Sequence, residues 1–358
     1  KGTTEARDVE EHLDELARLA DTAGAEVVGQ VVQAVRAPNP EFYVGKGKVG
    51  EILQRVLETR ASLVVFDEEL SPRQGKHLED ALKVRVMDRT ELILDIFALR
   101  ARSREAKLQV ELAQLEYTLP RLTRMWVHLS RIRGGIGLRG PGETQLETDR
   151  RIIRRKIGRL KEELVQVAAH RERVRDRTRE RGVLKVALVG YTNAGKSSLL
   201  RALTNAQAHV EDRLFATLDT ASREVRLNGR AVRFVDTVGF IRKLPHDLVA
   251  SFRSTLEEAA DADLIVHVVD VSHPAWEHQM GVVGEALEQV GLGDGRRVVV
   301  ALNKADRLDP AGRAARLGTA RAQGWEAGLV SALDSSGVDE LVSLVAVTER
   351  ARECRRVT

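Results

Sequence analysis

Gly190-Tyr191-Thr192-Asn193-Ala194-Gly195-Lys196-Ser197 reads as a phosphate-binding loop, with four residues between two glycines, then Lys and a hydroxyl. Such a loop curls so that successive backbone N–H groups face a phosphate at the positive end of the following helix. The flanks agree, with the apolar run Leu184 to Val189 before it and the helix-like Ser198 to Thr204 after it. The pattern predicts that Lys196 reaches the β- and γ-phosphates and that Ser197 holds Mg²⁺. Matches of this kind also arise by chance, so the reading rests on partner motifs at workable spacing.

Downstream, apolar runs alternate with helical patterns. Leu184 to Val189, Leu264 to Val269, Val298 to Leu302 and Ala327 to Val330 read as strands. Ala221 to Leu227 and Ala231 to Val235 form a predicted hairpin around Asn228-Gly229. Leu248 to Ala260 and Val338 to Val347 read as helices. A doubly wound, mostly parallel sheet with one antiparallel edge strand follows.

The partner motifs fall at strand ends. Asp236-Thr237-Val238-Gly239 offers a carboxylate that reaches Mg²⁺ through water and a glycine amide that senses a γ-phosphate. Asn303-Lys304-Ala305-Asp306 places a carboxylate where it accepts hydrogen bonds from guanine N1 and N2. Adenine has no 2-amino group and would leave it unpaired. Ser331-Ala332-Leu333 offers backbone N–H groups to the guanine O6. Within Phe215-Ala216-Thr217-Leu218-Asp219, Thr217 supplies a second hydroxyl to Mg²⁺, with Thr220 as the competing choice. These motifs, with the loop and Ser198, make up the expected GTP site, and Ser197, Thr217 and Asp236 its metal ligands. Taken singly, Asp236 reads equally as a turn residue, Asn303 to Asp306 as a strand-end cap and Thr217 as a loop hydroxyl. Their joint occurrence, each after an apolar run, is what argues for GTP.

The rest of the 358 residues divides into two further regions, and composition limits what they are. Charged residues at 31% and hydrophobic ones at 43% permit a buried core and argue against disorder. The net charge of +4 points to a polyanionic partner only where basic residues cluster. Cys354 is the single cysteine, which excludes an internal disulfide, and it reads as an unreactive thiol. No apolar run approaches the roughly 18 residues of a membrane span. A cytoplasmic monomer without membrane insertion is expected, with peripheral membrane association as the alternative. The start at Lys1 rather than Met reads as trimmed.

Residues 1–89 read as a small α/β domain with a parallel sheet. Glu26 to Val35, Leu63 to Phe66 and Val84 to Met87 are its strands, and Val9 to Ala20, Gly45 to Glu58 and Ser71 to Leu82 its helices, the last with Ser71 as N-cap and Pro72 first. Phe42-Tyr-Val-Gly-Lys-Gly-Lys48 puts Lys46 and Lys48 at a helix start, either as an anion or RNA contact or as a tight turn with solvated lysines. Residues 90–181 read as a long antiparallel helical hairpin, Thr90 to Thr118 and Thr144 to Arg181, the second helix opened by the capping box Thr144-Gln-Leu-Glu147. Its tip, residues 131–143, carries five glycines, one proline and Arg131, Arg133 and Arg139. A narrow basic finger of this kind, including Gly134 and Gly135, follows an RNA backbone; a disordered connector and a protein-binding tip are the alternatives. Tyr117 and Trp126 read as core residues rather than base-stacking ones. Residues 182–358 form the third domain.

The GTPase motifs, with Gly134-Gly-x-Gly-x-Arg-Gly-Pro-Gly-Glu143 and Leu146-Glu-x-Asp-Arg-Arg151 before them, resemble the HflX family of translation-associated GTPases related to Obg. The resemblance covers nearly the whole chain, Phe42 to Lys48 included. It implies a P-loop GTPase domain preceded by the α/β domain and hairpin, binding to the large ribosomal subunit near its peptidyl-transferase centre, and splitting of stalled or idle ribosomes under stress. An assembly GTPase for that subunit and a regulatory GTP-binding module for a protein partner are the other readings. Many members carry a further C-terminal domain, which this chain, ending at Thr358, is expected to lack. Where Ras-type enzymes hold the water-orienting Gln, this chain has Phe240, so slow intrinsic hydrolysis stimulated by ribosomes is expected. In related GTPases an Asn at the Asn193 position helps bind K⁺, making K⁺ a second candidate cofactor beside Mg²⁺. Arg242 and His246 read as exposed switch residues rather than as a general base.

Overall fold

The computed structural model describes residues 2–35, 37–122, 142–179, 183–204, 214–215, 217–218, 221–227, 229–243, 259–289 and 298–356. They fall into two units, Lys1–Leu99 with Lys107–Val165, and Arg100–Ala106 with Gln166–Thr358.

Local chemistry sets the elements of the first unit. Ser71 caps α3 (Pro72–Leu82) in a reciprocal box, its Oγ accepting from the Gln74 N–H while the Gln74 side chain accepts from the Ser71 N–H. On either side of α3 run β1 (Leu63–Phe66) and β2 (Arg85–Asp88), paired in parallel from Leu63↔Arg85 to Phe66↔Asp88. Ile52 and Val56 of α2 (Lys46–Thr59) pack with Leu70, Leu78, Leu82 and Val86. Arg89 opens α4 (Arg89–Arg100) almost wholly buried, ion-paired to Glu15 of α1 (Gly2–Thr22) and to Asp67 at 2.6 Å. A buried charge is tolerated only when paired in this way.

Three sequence expectations are corrected here. Residues 26–35 form no strand. Their valines at 27, 28, 31, 32 and 35 do not alternate, and only Val31 reaches the core while the other four stay exposed. The long helix from Thr90 breaks at residues 101–103, and α5 (Arg104–Thr118) restarts under Ser103, whose Oγ accepts the Ala106 N–H at 3.1 Å. The next helix, α6 (Gly142–Arg179), begins two residues before Thr144, which therefore lies inside it rather than capping it. Lys46 is exposed and Lys48 half-buried, and each meets a carboxylate, Glu41 at 3.4 Å and Glu51 at 2.7 Å. Tyr117 lies under the Arg121 guanidinium, 3.6 Å from its ring centroid, as a packing residue. Ion pairs from Lys156 to Glu111 and from Lys161 to Glu116 join α6 to α5.

The second unit is built on a six-stranded sheet in the order β4-β5-β3-β6-β7-β8. Its strands are β3 (Leu184–Gly190), β4 (Ala221–Leu227), β5 (Arg230–Asp236), β6 (Leu264–Asp270), β7 (Val298–Asn303) and β8 (Glu326–Leu329). All neighbours are parallel except the edge hairpin β4–β5, whose register closes on Leu227↔Arg230. Leu188, Phe234, Val266 and Val268 pack on one face against Leu199 and Leu203 of α7 (Lys196–Thr204) and Leu341 of α10 (Val338–Arg356). Val269, Val300 and Leu302 pack on the other against Trp276 of α8 (Trp276–Gln289) and Ala320 of α9 (Pro310–Ala322). Cover on both faces is why the central strands are continuously apolar. It also leaves one exit for polar chemistry, the carboxyl edge of β3, β5 and β7.

One polar residue breaks the apolar run of β6. His267 lies between Val189 and Val300, 4% exposed, and burial with the nearby Lys196 charge pushes its pKa down from 6.5 to about 4. The unfolded chain protonates near 6.5 and the folded one does not until about 4, so this contribution is complete above pH 6.5 and lost as pH falls through that window. Denaturant unfolding at pH 7.5 and pH 4.5 is expected to show His267→Leu losing about 2–3 kcal/mol less on acidification than the parent. Equal losses would place the acid sensitivity elsewhere.

Candidate nucleotide-binding site

The loop after β3 is shaped by close approaches. Gly195 sits at φ +91°, and a Cβ there would collide with the Asn303 side-chain amide. Lys196, the first residue of α7, is buried, and its Nζ donates to the Gly190 and Tyr191 carbonyls, each at 3.0 Å. Burial pushes its pKa down to about 8, opposed by the charge of Asp236. Asp236, at the end of β5, is itself raised by burial and held back by Lys196 and by the Ser197 hydrogen bond.

Ser197, Thr217 and Asp236 come together at the carboxyl end of β5. The Ser197 Oγ donates to Asp236 Oδ2 at 2.6 Å and lies 2.6 Å from the Thr217 Oγ1. The other carboxylate oxygen, Oδ1, is buried without a hydrogen-bond partner among the described residues. An all-oxygen set with an orphaned buried acceptor fits a hard divalent cation such as Mg²⁺.

Two links tie the loop to the segments that would respond to nucleotide. Phe240 exchanges backbone bonds with it, its carbonyl accepting from the Thr192 N–H at 2.6 Å and its N–H donating to the Gly190 carbonyl at 3.0 Å. The Tyr191 hydroxyl accepts the Arg242 N–H at 3.0 Å, and the Thr192 Oγ1 accepts the Phe215 N–H at 2.9 Å. Gly239 lies so close that a Cβ would stand 2.7 Å from the Thr192 Cα. Thr237 is buried with its hydroxyl on the Leu188 carbonyl, Val238 is buried beside it, and the Phe240 ring is 3% exposed. Arg242 is half-buried, not the exposed switch residue expected, because its backbone is drawn onto Tyr191. Asn193 is half-buried at φ +60°, and Ala194, Phe215 and Leu218 are buried. The motif pattern contains Tyr191 and Thr192 but does not reveal these ties.

On the base side Asn303 acts as a staple. Its Nδ2 donates to the Ala194 carbonyl at 2.8 Å and its Oδ1 accepts the Ala332 N–H at 3.0 Å, joining the ends of β3, β7 and β8. Lys304 takes the left-handed conformation and its ammonium pairs with Asp270 at 2.7 Å, a partner that spacing alone did not show. Ala305 is buried with its N–H on the Val330 carbonyl. Asp306 is half-buried, and its carboxylate has no ion pair or hydrogen bond among the described residues. Of the three amides expected to face the guanine O6, the Ser331 N–H donates to the Ser336 carbonyl, the Ala332 N–H to the Asn303 Oδ1 at 3.0 Å, and the Leu333 N–H to the Ser331 Oγ at 3.3 Å. Ser198 is half-buried on α7. Ala216, Asp219, Thr220, Trp126, His246, Arg131, Arg133, Gly134, Gly135 and Arg139 lie outside the described residues.

Three family models cover the chain: GTP-binding GTPase N-terminal over residues 10–98, GTP-binding GTPase Middle Region over 100–178, and 50S ribosome-binding GTPase over 185–304. GTPase HflX of Caldanaerobacter subterraneus subsp. tengcongensis is 54% identical over 301 residues, which is 84% of this chain and 70% of that protein. The chain belongs to the HflX family. GTPase HflX of Escherichia coli is 47% identical over 308 residues, 86% of this chain and 72% of its own. The solved structure of an SsGBP and GDP complex is 26% identical, covers 94% of this chain and 95% of its own, and superposes with a TM-score of 0.53. This HflX-family chain is a GTP-binding protein and a GTPase, and among its described residues no helix is long and apolar enough to cross a membrane.

Proposed function

We propose that this HflX-family GTPase is a GTP-driven switch that binds the large ribosomal subunit and splits stalled or idle ribosomes under stress. The meeting of Ser197, Thr217 and Asp236 at 2.6 Å carries the switch reading, since it brings hydroxyls of two segments to a carboxylate of a third. The description of the model matched by residues 185–304 supports the ribosomal partner.

In this reading the loop 190–198 cradles the phosphates, Lys196 turns from the Gly190 and Tyr191 carbonyls towards the β- and γ-oxygens, and the Gly239 amide donates to the γ-phosphate. Mg²⁺, held by the Ser197 and Thr217 hydroxyls and by Asp236 through water, supplies charge stabilisation at the β- and γ-phosphate oxygens when bound. The buried ring of Phe240 cannot polarise water, so intrinsic hydrolysis is slow and the ribosome supplies what orders the nucleophile. Asn193, half-buried at the loop, offers a ligand to K⁺, which would offset charge developing on the phosphates. Hydrolysis is expected to be at least severalfold faster in KCl than in NaCl, and equal rates with an unchanged Asn193→Asp variant would remove K⁺ from the account.

Sedimentation of 70S ribosomes with the protein and a non-hydrolysable GTP analogue tests the proposal. Conversion of 70S into subunits is the expected result. Co-migration with large-subunit precursors alone would favour an assembly role, and no co-migration would favour a protein partner.

A further inference from the structure

Among the polar side chains of Asn303 to Asp306, those of Asn303 and Lys304 have protein partners, whereas the Asp306 carboxylate has none among the described residues. The backbone around Asp306 is nevertheless tied down. It lies in the short 3₁₀ turn Ala305–Arg307, closed by the Arg307 N–H on the Lys304 carbonyl and the Leu308 N–H on the Ala305 carbonyl, each at 3.1 Å. A further tie comes from outside the turn. Arg313 of α9 is half-buried, and its Nε donates to the Ala305 carbonyl at 2.8 Å and to the Leu308 carbonyl at 3.0 Å. The Ala305 carbonyl belongs to the peptide that enters Asp306, and Leu308 ends the turn, so one guanidinium brackets the residue.

Helix chemistry does not call for an arginine there. Arg313 stands in the first turn of α9, after Asp309 as N-cap and Pro310 as first residue, where the positive end of the helix dipole disfavours a cation. The Asp309 carboxylate, four residues back, is spent on the cap: its Oδ1 accepts the Gly312 N–H at 2.8 Å. Arg313 makes no ion pair among the described residues, and its contacts go to the two carbonyls. An ionised donor makes such bonds short and strong, and the planar guanidinium fixes their direction.

We propose that Arg313 is a positioning residue of the base site, holding Asp306 so that both carboxylate oxygens meet guanine, and that it thereby sets the preference for guanine over a purine without the 2-amino group. Accepting from N1–H and from the 2-amino group at once requires both oxygens to be placed, whereas a single bond to N1–H tolerates a turned carboxylate. Loosening the turn therefore costs GTP more than it costs inosine triphosphate, whose base lacks that amino group. Arg313 acts through the peptide ahead of Asp306 and not by touching the nucleotide. The inference rests on the reading of Asp306 as the guanine acceptor.

The test compares the full chain with Arg313→Met, which keeps an aliphatic stem and removes the donor, and with Arg313→Lys, whose ammonium serves one carbonyl at a time. Competition against a labelled GDP analogue gives the affinities for GTP and inosine triphosphate. The parent should prefer GTP by about 10- to 100-fold. Arg313→Met should cut that ratio about tenfold, mostly by weakening GTP, while single-turnover hydrolysis at saturating GTP stays within about twofold because the phosphate loop is untouched. Arg313→Lys should fall between the two. A methionine variant that kept the parent's ratio, or lost affinity for both nucleotides alike, would make Arg313 a brace of α9 and overturn the inference. If thermal unfolding shows that this variant does not fold, the lysine variant decides on the same ratio, an intermediate value supporting the inference and the parent's value overturning it. A parent that bound GTP and inosine triphosphate equally would remove Asp306 from the base, and the role of Arg313 with it.

Discussion

Lys196→Ala is expected to lower single-turnover GTP hydrolysis about 100- to 1,000-fold and to weaken GTP binding by a comparable factor. The side chain is buried, with its ammonium 3.0 Å from two loop carbonyls, and desolvation has already pushed its pKa down to about 8. An arriving triphosphate gives the ammonium the charged partner that burial withholds, and developing charge on the β–γ bridge and γ-oxygens strengthens that contact in the transition state. Alanine removes this term without touching the loop curvature set by Gly195 and Asn303. Because the lost lysine was itself poorly solvated, the ligand-free protein should keep its unfolding midpoint to within a few degrees. Fluorescent-nucleotide titration and single-turnover assays check the first statement and thermal unfolding the second. Turnover within threefold of the parent would remove Lys196 from the phosphate site.

Asp306→Asn is expected to weaken GTP on the order of 10⁴-fold and to bring xanthosine triphosphate up towards the affinity that GTP has for the parent. A carboxylate accepts two hydrogen bonds, as guanine's N1–H and 2-amino group require. A carboxamide presents one acceptor and one donor, which leaves the 2-amino group facing another donor. Xanthine carries an oxygen in place of that amino group and restores the match. Asp306 suits this role because it is half-buried and its carboxylate is unclaimed among the described residues, whereas Asn303 beside it is spent on joining loops. Competition of both nucleotides against a labelled GDP analogue measures the exchange. If the variant lost GTP and gained nothing for xanthosine triphosphate, Asp306 would be a structural residue of the β7 exit.

The second unit was more legible in the sequence than the first. The strands of its sheet and its antiparallel edge were readable because β3, β6 and β7 are buried on both faces and therefore appear as unbroken apolar runs. In the first unit the valines of residues 26–35 mimic strand composition. Only Val31 finds a core neighbour, so composition misled where pairing was absent. The break before α5 was hidden for a related reason, since Ser103 acts as a cap only once the chain turns there.

Within the site, the choice of ligand was written in local chemistry. Two glycines curl a backbone, a lysine and hydroxyl follow, and a carboxylate three residues after an asparagine is the group expected to select guanine, all within short windows whose geometry depends on little else. The partnerships were not written there. Asn303 reaches a carbonyl 109 residues away, Ser197 meets a carboxylate 39 residues on, Lys304 is held by Asp270, and Tyr191 draws Arg242 inward. Each pairing exists because parallel strands distant in the chain end at the same edge of one sheet. A residue type shows that a polar group needs a partner, but the convergence of strands selects which group that partner is.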